Sequence, residues 1–168
     1  MAIGITLTIN GLTGPLNAMM SAAARGLLNV ATLKQALAEK MVDQVTQRIE
    51  VEKTAPDGTA WPKTRDGRGA LFVTGEHLAR SIQSSIGAEA IEVGSGWIGA
   101  RIHQLGGVIT PVKAKALVFR AGGKTVFAKK VTIPARPYLG FSDANLAVLK
   151  GIAEDALALA LALSGGEA

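Results

Sequence analysis

Residues 116–133 read ALVFRAGGKTVFAKKVTI, and this stretch decides the fold class. Two runs rich in β-branched and aromatic residues flank Gly122-Gly123, a pair that tolerates the positive φ angles of a two-residue turn. The pattern predicts a β-hairpin with strands over 116–120 and 125–133. With the lysines that precede it, the unit is a basic hairpin over 113–133.

The two-residue turn also fixes which residues face each other across the hairpin. The predicted pairs are Phe119 with Val126 and Val118 with Phe127. Continued in the same register, Lys115 comes to lie opposite Lys130. Such a like-charge pair costs stability unless the strand ends splay or an anion lies between them.

Helical patterns surround the hairpin on both sides. Apolar residues recur every four positions from Leu33 to Ile49, and they predict an amphipathic helix reaching about residue 53, with polar residues that include Arg48 on its outer face. Shorter patterns predict further elements. These are a strand over 2–9, helices over 15–25 and 74–82, strands near 82–86 and 90–94, a helical turn over 97–104, and a helix over 142–163 with Leu146, Leu149, Ile152, Ala156 and Leu159 on one stripe.

This order of elements predicts an α+β fold in one domain over 1–168. We expect long N-terminal helices, a small and mainly antiparallel sheet with the basic hairpin protruding from it, and a C-terminal helix. Residues 164–168 are expected to form a frayed tail.

Two segments lack a regular pattern. Residues 55–70 are rich in Pro, Gly and charge, and they predict a long irregular loop that contains Trp61 and Arg65. Because a Trp is unfavourable in water, we expect the loop to be ordered against another surface, for which a partner is one candidate. An aromatic anchor exposed in such a loop suits a subunit interface. Residues 133–140 hold two prolines, which exclude a helix and predict a rigid, extended crossover.

The excess of positive over negative charge is confined to one part of the chain. Between positions 93 and 142 there are eight Lys or Arg residues and no Asp or Glu, whereas the rest of the chain holds ten basic and thirteen acidic residues. Such a segment either contacts a polyanion or forms a solvated hairpin. The candidate contact residues in the hairpin are Lys113, Lys115, Arg120, Lys124, Lys129 and Lys130.

The residues needed for common chemistry are sparse. Cysteine is absent, and the two histidines, His77 and His103, have no neighbours at the spacing of a metal site. No acid and base pair and no phosphate-binding glycine loop stands out. We therefore expect a protein that is not an enzyme, with no cofactor, no metal, no small-molecule substrate and no membrane span.

Four short motifs in a fixed order carry a family resemblance. They are PDGTAWP (56–62), LFVTGEHLARSI (71–82), ARIHQLGG (100–107) and IPARPYLG (133–140). Together they resemble the phage virion morphogenesis family, which includes tail-completion proteins of Mu-like phages. The resemblance covers roughly residues 30–160.

The resemblance implies a virion subunit in the neck or at the head-proximal end of the tail, made in the host cytoplasm. It implies a homo-oligomeric ring, either a hexamer or a dodecamer, that contacts neck, connector or tail-tube proteins and surrounds the passing DNA. The alternative from the basic segment alone is a nucleic-acid-binding assembly protein that is not part of the virion.

Structural roles are expected for individual residues of the motifs. Arg136, beside Pro137, is expected to fix the crossover through a bidentate bond to a carboxylate or to helix-end carbonyls, and His103-Gln104 to cap a helix or contact a subunit. Thr74 and Gly75 are expected to begin a helix. The candidate interface anchors are Trp61, Arg65 and Trp97, and the hairpin cations are candidates for lining the DNA channel or contacting the ring.

Overall fold

The computed structural model describes residues 26, 28–63, 70–71, 75–88, 90–121 and 123–164. The predicted strand over 2–9, the helix over 15–25 and the tail beyond Ser164 lie outside these ranges, as do Arg65 and Thr74.

The first described element is helix α1, Val30–Gln47, which continues as a π-helical turn over Arg48–Glu52. Asn29 caps its start, because its side-chain oxygen accepts a hydrogen bond of 3.1 Å from the amide of Thr32. The predicted stripe lies against the core, with Leu33, Met41, Val45 and Ile49 buried. The predicted helix to about residue 53 is confirmed.

A short helix and a hairpin pack beside α1. Helix α2 covers Gly75–Ala79 and ends earlier than predicted, because Ile82 already begins a strand. Strands β1 (Ile82–Ile86) and β2 (Ile91–Ser95) form an antiparallel ladder, which confirms the two predicted strands, and both contact α1.

The next part of the chain is a pair of nested antiparallel ladders. The predicted helical turn over 97–104 is helix α3, Ala100–Leu105, which ends at Gly106. Strand β3 (Gly107–Ile109) then pairs with β6 (Val131–Ile133), and between them β4 (Leu117–Ala121) pairs with β5 (Lys124–Ala128).

The predicted register of the hairpin is confirmed at the tip, and the predicted pairing at the base is wrong. The ladder pairs Phe119 with Val126 and Val118 with Phe127, as the register predicts. The predicted strand over 125–133, however, is two strands interrupted at Lys129-Lys130, because β6 pairs with β3 instead of extending the ladder. Seven residues (110–116) oppose two (129–130) at this break, so Lys115 and Lys130 are not ladder partners.

The chain returns through residues 134–140, which have no regular structure and confirm the predicted crossover. Helix α4 then covers Asp143–Ser164. Ser142 and Asn145 cap its start reciprocally, since each side chain accepts a 3.1 Å hydrogen bond from the other's amide. On the predicted stripe Leu149 is buried, but Leu159 is exposed and Ala160 is buried in its place.

The core lies where α1, the β1–β2 ladder, α3 and the crossover meet, and α4 packs along α1. The α+β class is confirmed, although within the described ranges the predicted small sheet is three separate two-stranded ladders. No helix in the described part of the chain is long and apolar enough to span a bilayer.

Candidate functional site

The crossover, residues 134–140, is held by polar side chains from the sequence motifs. The side-chain oxygen of Gln104 accepts hydrogen bonds from the amides of Tyr138 (2.9 Å) and Leu139 (3.0 Å). Its amide nitrogen donates to the carbonyl of Leu139 at 3.3 Å. Gln104 therefore binds the crossover backbone with both ends of its side chain, and it does not cap a helix.

Arg136 fixes the crossover as predicted, but through a different partner. Its Nε and Nη2 both donate to the carbonyl oxygen of Pro62, at 3.3 and 3.2 Å. Its backbone amide donates to the carbonyl of His103 at 2.8 Å. The predicted carboxylate or helix-end acceptor is wrong, because the buried guanidinium joins the crossover to the loop that follows Trp61.

Trp61 is not an exposed interface anchor. Its side chain is only 6% exposed and belongs to the hydrophobic core of its own chain. The indole Nε1 donates to the carbonyl of Pro137 at 3.1 Å. The buried ring and its hydrogen-bonded N–H hold the loop against the crossover. The expectation of an exposed aromatic side chain at a subunit interface is therefore wrong.

Arg48 is a further crossover contact that sequence reasoning missed. Predicted on the outer face of α1, it is 1% exposed. Its Nη1 donates to the carbonyls of Tyr138 (3.2 Å) and Gly140 (2.5 Å), and its Nη2 donates to the side-chain oxygen of Asn145. The available signal was its spacing of seven residues from Met41, which places it on the buried stripe.

Arg48, Trp61, Gln104 and Arg136 are called the clamp below. They come from α1, the loop and motif segments far apart in sequence, and all four donate to or accept from backbone atoms of residues 62 and 137–140. Because these bonds join atoms of one chain, the clamp fixes the fold of the motifs.

His103 and Trp97 stack beside the clamp. Their ring centroids are 5.5 Å apart and their planes differ by 9°. Burial, with Arg136 nearby, lowers the pKa of His103 below 6.5, so its imidazole is neutral at pH 7. Among the described residues its Nδ1 has no hydrogen-bond partner. Trp97 is half-buried and packs against the core.

Two more contacts complete the surroundings of the crossover. Gly106 has φ +71°, and a Cβ at this position would lie 2.7 Å from the amide nitrogen of Ala135, so the close approach requires glycine. The hydroxyl of Tyr138 donates to the carbonyl of Ala100 at 3.2 Å, and burial raises the pKa of this phenol to about 12. Gly75 begins α2, as the motif implies.

The β4–β5 hairpin forms the second candidate surface. Every predicted contact cation is exposed: Lys113, Lys115, Arg120, Lys124, Lys129 and Lys130. Two faces can be distinguished, since side chains alternate across a strand. The outer face carries the cross-strand pair Val118 and Phe127, which are 60% and 72% exposed, followed by Arg120 opposite Thr125.

A third surface is an acidic groove. It lies between the end of the π-helical turn, the loop after residue 54 and the start of α4. Glu52, Asp57 and Asp143 line it, together with the buried Arg48. The backbone amide of Thr59 donates to Asp57 at 2.9 Å and lowers the pKa of its carboxyl. In the described part of the chain, no group of three His, Cys, Asp or Glu residues could hold a metal ion.

Comparison with known proteins gives one assignment. The sequence model of the phage virion morphogenesis family matches residues 12–158, which includes all four motifs. No curated protein and no solved structure matches the chain. Since the match covers most of the 168 residues, the chain belongs to the phage virion morphogenesis family and has a role in virion assembly.

Proposed function

We propose that the chain is one subunit of a homo-oligomeric ring in the neck of a tailed phage, where it completes the tail or joins it to the head. The ring is a hexamer or a dodecamer and contacts connector or tail-tube proteins. The ring acts by binding neighbouring virion proteins and has no catalytic role. It remains in the finished virion.

The observation that carries this proposal is the contrast between the motifs and the hairpin. The motif residues bind backbone atoms of their own chain, so they are committed to the fold. The hairpin, in contrast, exposes both cations and large apolar side chains. Exposed apolar side chains clustered on a protruding element are typical of protein contact surfaces.

The ring is tested by measuring the mass of the purified full-length protein by native mass spectrometry and light scattering. Particles are then imaged with the protein labelled. We expect a closed oligomer and a label at the junction of head and tail. A protein that is monomeric at all concentrations and absent from finished virions would contradict the proposal.

A second candidate is a nucleic-acid-binding assembly protein outside the virion, which the eight cations between positions 93 and 142 favour. It predicts duplex-DNA binding that weakens steeply with salt, and a shallower salt dependence when Lys124, Lys129 and Lys130 are changed to Ala. Binding that is undetectable, or insensitive to salt, would dismiss this candidate.

A further inference from the structure

The outer face of the β4–β5 hairpin has no cover in the described structure. Val118 and Phe127 are a directly opposed pair, and both are more than half exposed. Among the described helices and strands, β4 and β5 make their extensive contacts with each other. A two-stranded hairpin is marginally stable in water by itself, so this one gains stability from any surface that covers it.

The charge around this apolar pair is entirely positive. Arg120 follows Val118 on the outer face, and Lys129 directly follows β5. Lys124 lies at the tip on the opposite face, where it pairs with Ala121. No acidic residue occurs between positions 93 and 142 to balance them. A partner surface must therefore supply carboxylates beside apolar or small residues.

The acidic groove of this same chain has that composition. Glu52, Asp57 and Asp143 supply carboxylates, and all three are exposed. Between them the groove is lined by small or apolar residues, including Ala55, Pro56 and Ala144. The loop that carries Asp57 is fixed by backbone bonds, such as that from the amide of Ala55 to the carbonyl of Thr59 at 2.7 Å.

We infer that the β4–β5 hairpin of one copy docks into the acidic groove of the next copy. The hairpin tip enters the groove, so that Arg120 on the outer face and Lys124 on the opposite face lie against Asp57 and Asp143, and Phe127 is covered. The two surfaces differ, so the contact is head to tail, and contacts of this kind form a ring when the rotation between successive copies closes. The inference rests on the proposed ring and assigns the surfaces that form it.

Duplex DNA is a poorer occupant for this face. Phosphates are neutralised by Lys and Arg, and a pair of exposed apolar side chains offers them no hydrogen bond. Burying Val118 and Phe127 against a protein surface is favourable in proportion to the apolar area removed from water.

The test uses two full-length variants with opposite charge changes. Variant A carries Arg120→Glu and Lys124→Glu in the hairpin, and variant B carries Asp57→Lys and Asp143→Lys in the groove. Each places like charges at every contact between identical copies, so the concentration for half-assembly should rise by about tenfold or more. Mixing A with B restores opposite charges at every contact and should restore the oligomer, with the two variants in equal numbers.

Two further variants control for charge and folding. Lys63→Glu with Arg101→Glu makes the same charge change at two exposed residues outside the hairpin, and it should assemble as the wild type does. Asp57→Asn with Asp143→Asn keeps the side-chain acceptors, and it should weaken assembly less than variant B. Circular dichroism checks that each variant is folded.

The outcomes separate the docking site from the ring. If the wild type forms rings but variant A does so equally well, or the mixture of A and B does not, the inference is overturned and the ring stands. The inference is also overturned if variant A loses only DNA binding. A wild-type protein that never assembles and is absent from virions overturns the ring as well.

Discussion

The crossover and the β4–β5 hairpin are both extended segments, but only the crossover carries a family motif, and the two are held in opposite ways. Side chains from three separate segments bind the crossover backbone, and its own Arg136 binds the carbonyl of Pro62. Tyr138 and Leu139 within the crossover are buried. The hairpin is held by its own ladder and exposes Val118 and Phe127. The difference teaches that the sequence motifs preserve the frame, while the surface that we propose for assembly lies in a segment outside the motifs.

The largest expected effect is the loss of Arg48 from the clamp. Arg48→Met should lower the free energy of unfolding by about 3–4 kcal/mol, because it leaves the carbonyls of Tyr138 and Gly140 buried without their donor. Urea denaturation measures this. Arg101→Met, at an exposed position of α3, is the control and should change stability by no more than about 0.5 kcal/mol. A loss below about 1 kcal/mol for Arg48→Met would show that the clamp is not what fixes the crossover.

Gln104→Ala is next in size. It leaves the amides of Tyr138 and Leu139 without an acceptor, and we expect a loss of about 2–3 kcal/mol in urea denaturation. Gln104→Glu keeps an acceptor for both amides and should lose less. An equal loss for the two variants would contradict the assigned hydrogen bonds.

Trp61→Phe separates the hydrogen bond of the indole from its burial. The smaller ring keeps most of the apolar contact but loses the bond to Pro137 and leaves a small cavity, which costs about 1–2 kcal/mol. Thermal unfolding measures the change. If this variant stays as stable as the wild type but fails to assemble, Trp61 acts at an interface after all.

A smaller effect should appear as a pH dependence from His103. Its pKa is below 6.5 in the folded chain because of burial and Arg136, so as the pH falls the unfolded chain binds the proton first. Stability should therefore fall as the pH drops below about 6.5 and level off below the folded pKa. Comparing urea midpoints at pH 7.5 and 5.5 for the wild type and His103→Gln tests this. The same slope in both proteins would assign the effect to other groups.

The smallest effect on folding is expected in the hairpin. Phe127→Ser should change the stability of the monomer by less than about 0.5 kcal/mol, because the side chain is exposed. The same variant should reduce assembly, since it removes the apolar cover of the proposed contact. A large loss of monomer stability would mean that Phe127 packs within its own chain.

Local sequence patterns were sufficient to predict the helices and strands that are determined by neighbouring residues. The Gly122-Gly123 pair was sufficient for the tip register of β4 and β5, and the four-residue repeat from Leu33 to Ile49 was sufficient for α1. Strand β3 was missed because three residues, Gly107–Ile109, are too few for a periodic signal, and its pairing with β6 is not local.

The clamp was predicted only in part, because its acceptors are backbone carbonyls that come close only in the folded chain. Arg136 was expected to fix the crossover, but nothing in the sequence identifies Pro62 as its partner. Arg48 was placed outside since charged residues are rarely fully buried. The turn-rich composition around Trp61 does not identify the surface that the ring packs against, which is the hydrophobic core of its own chain.

Hydrogen exchange at the two segments tests the contrast between frame and assembly surface most directly. In the monomer, the amides of Tyr138 and Leu139 should exchange slowly and those of β4 and β5 quickly, since only the former are buried under the clamp. In the assembled protein the hairpin amides should become protected, while those of the crossover stay as they were. Hairpin amides that are as protected in the monomer as those of the crossover, or that do not change on assembly, would contradict the account.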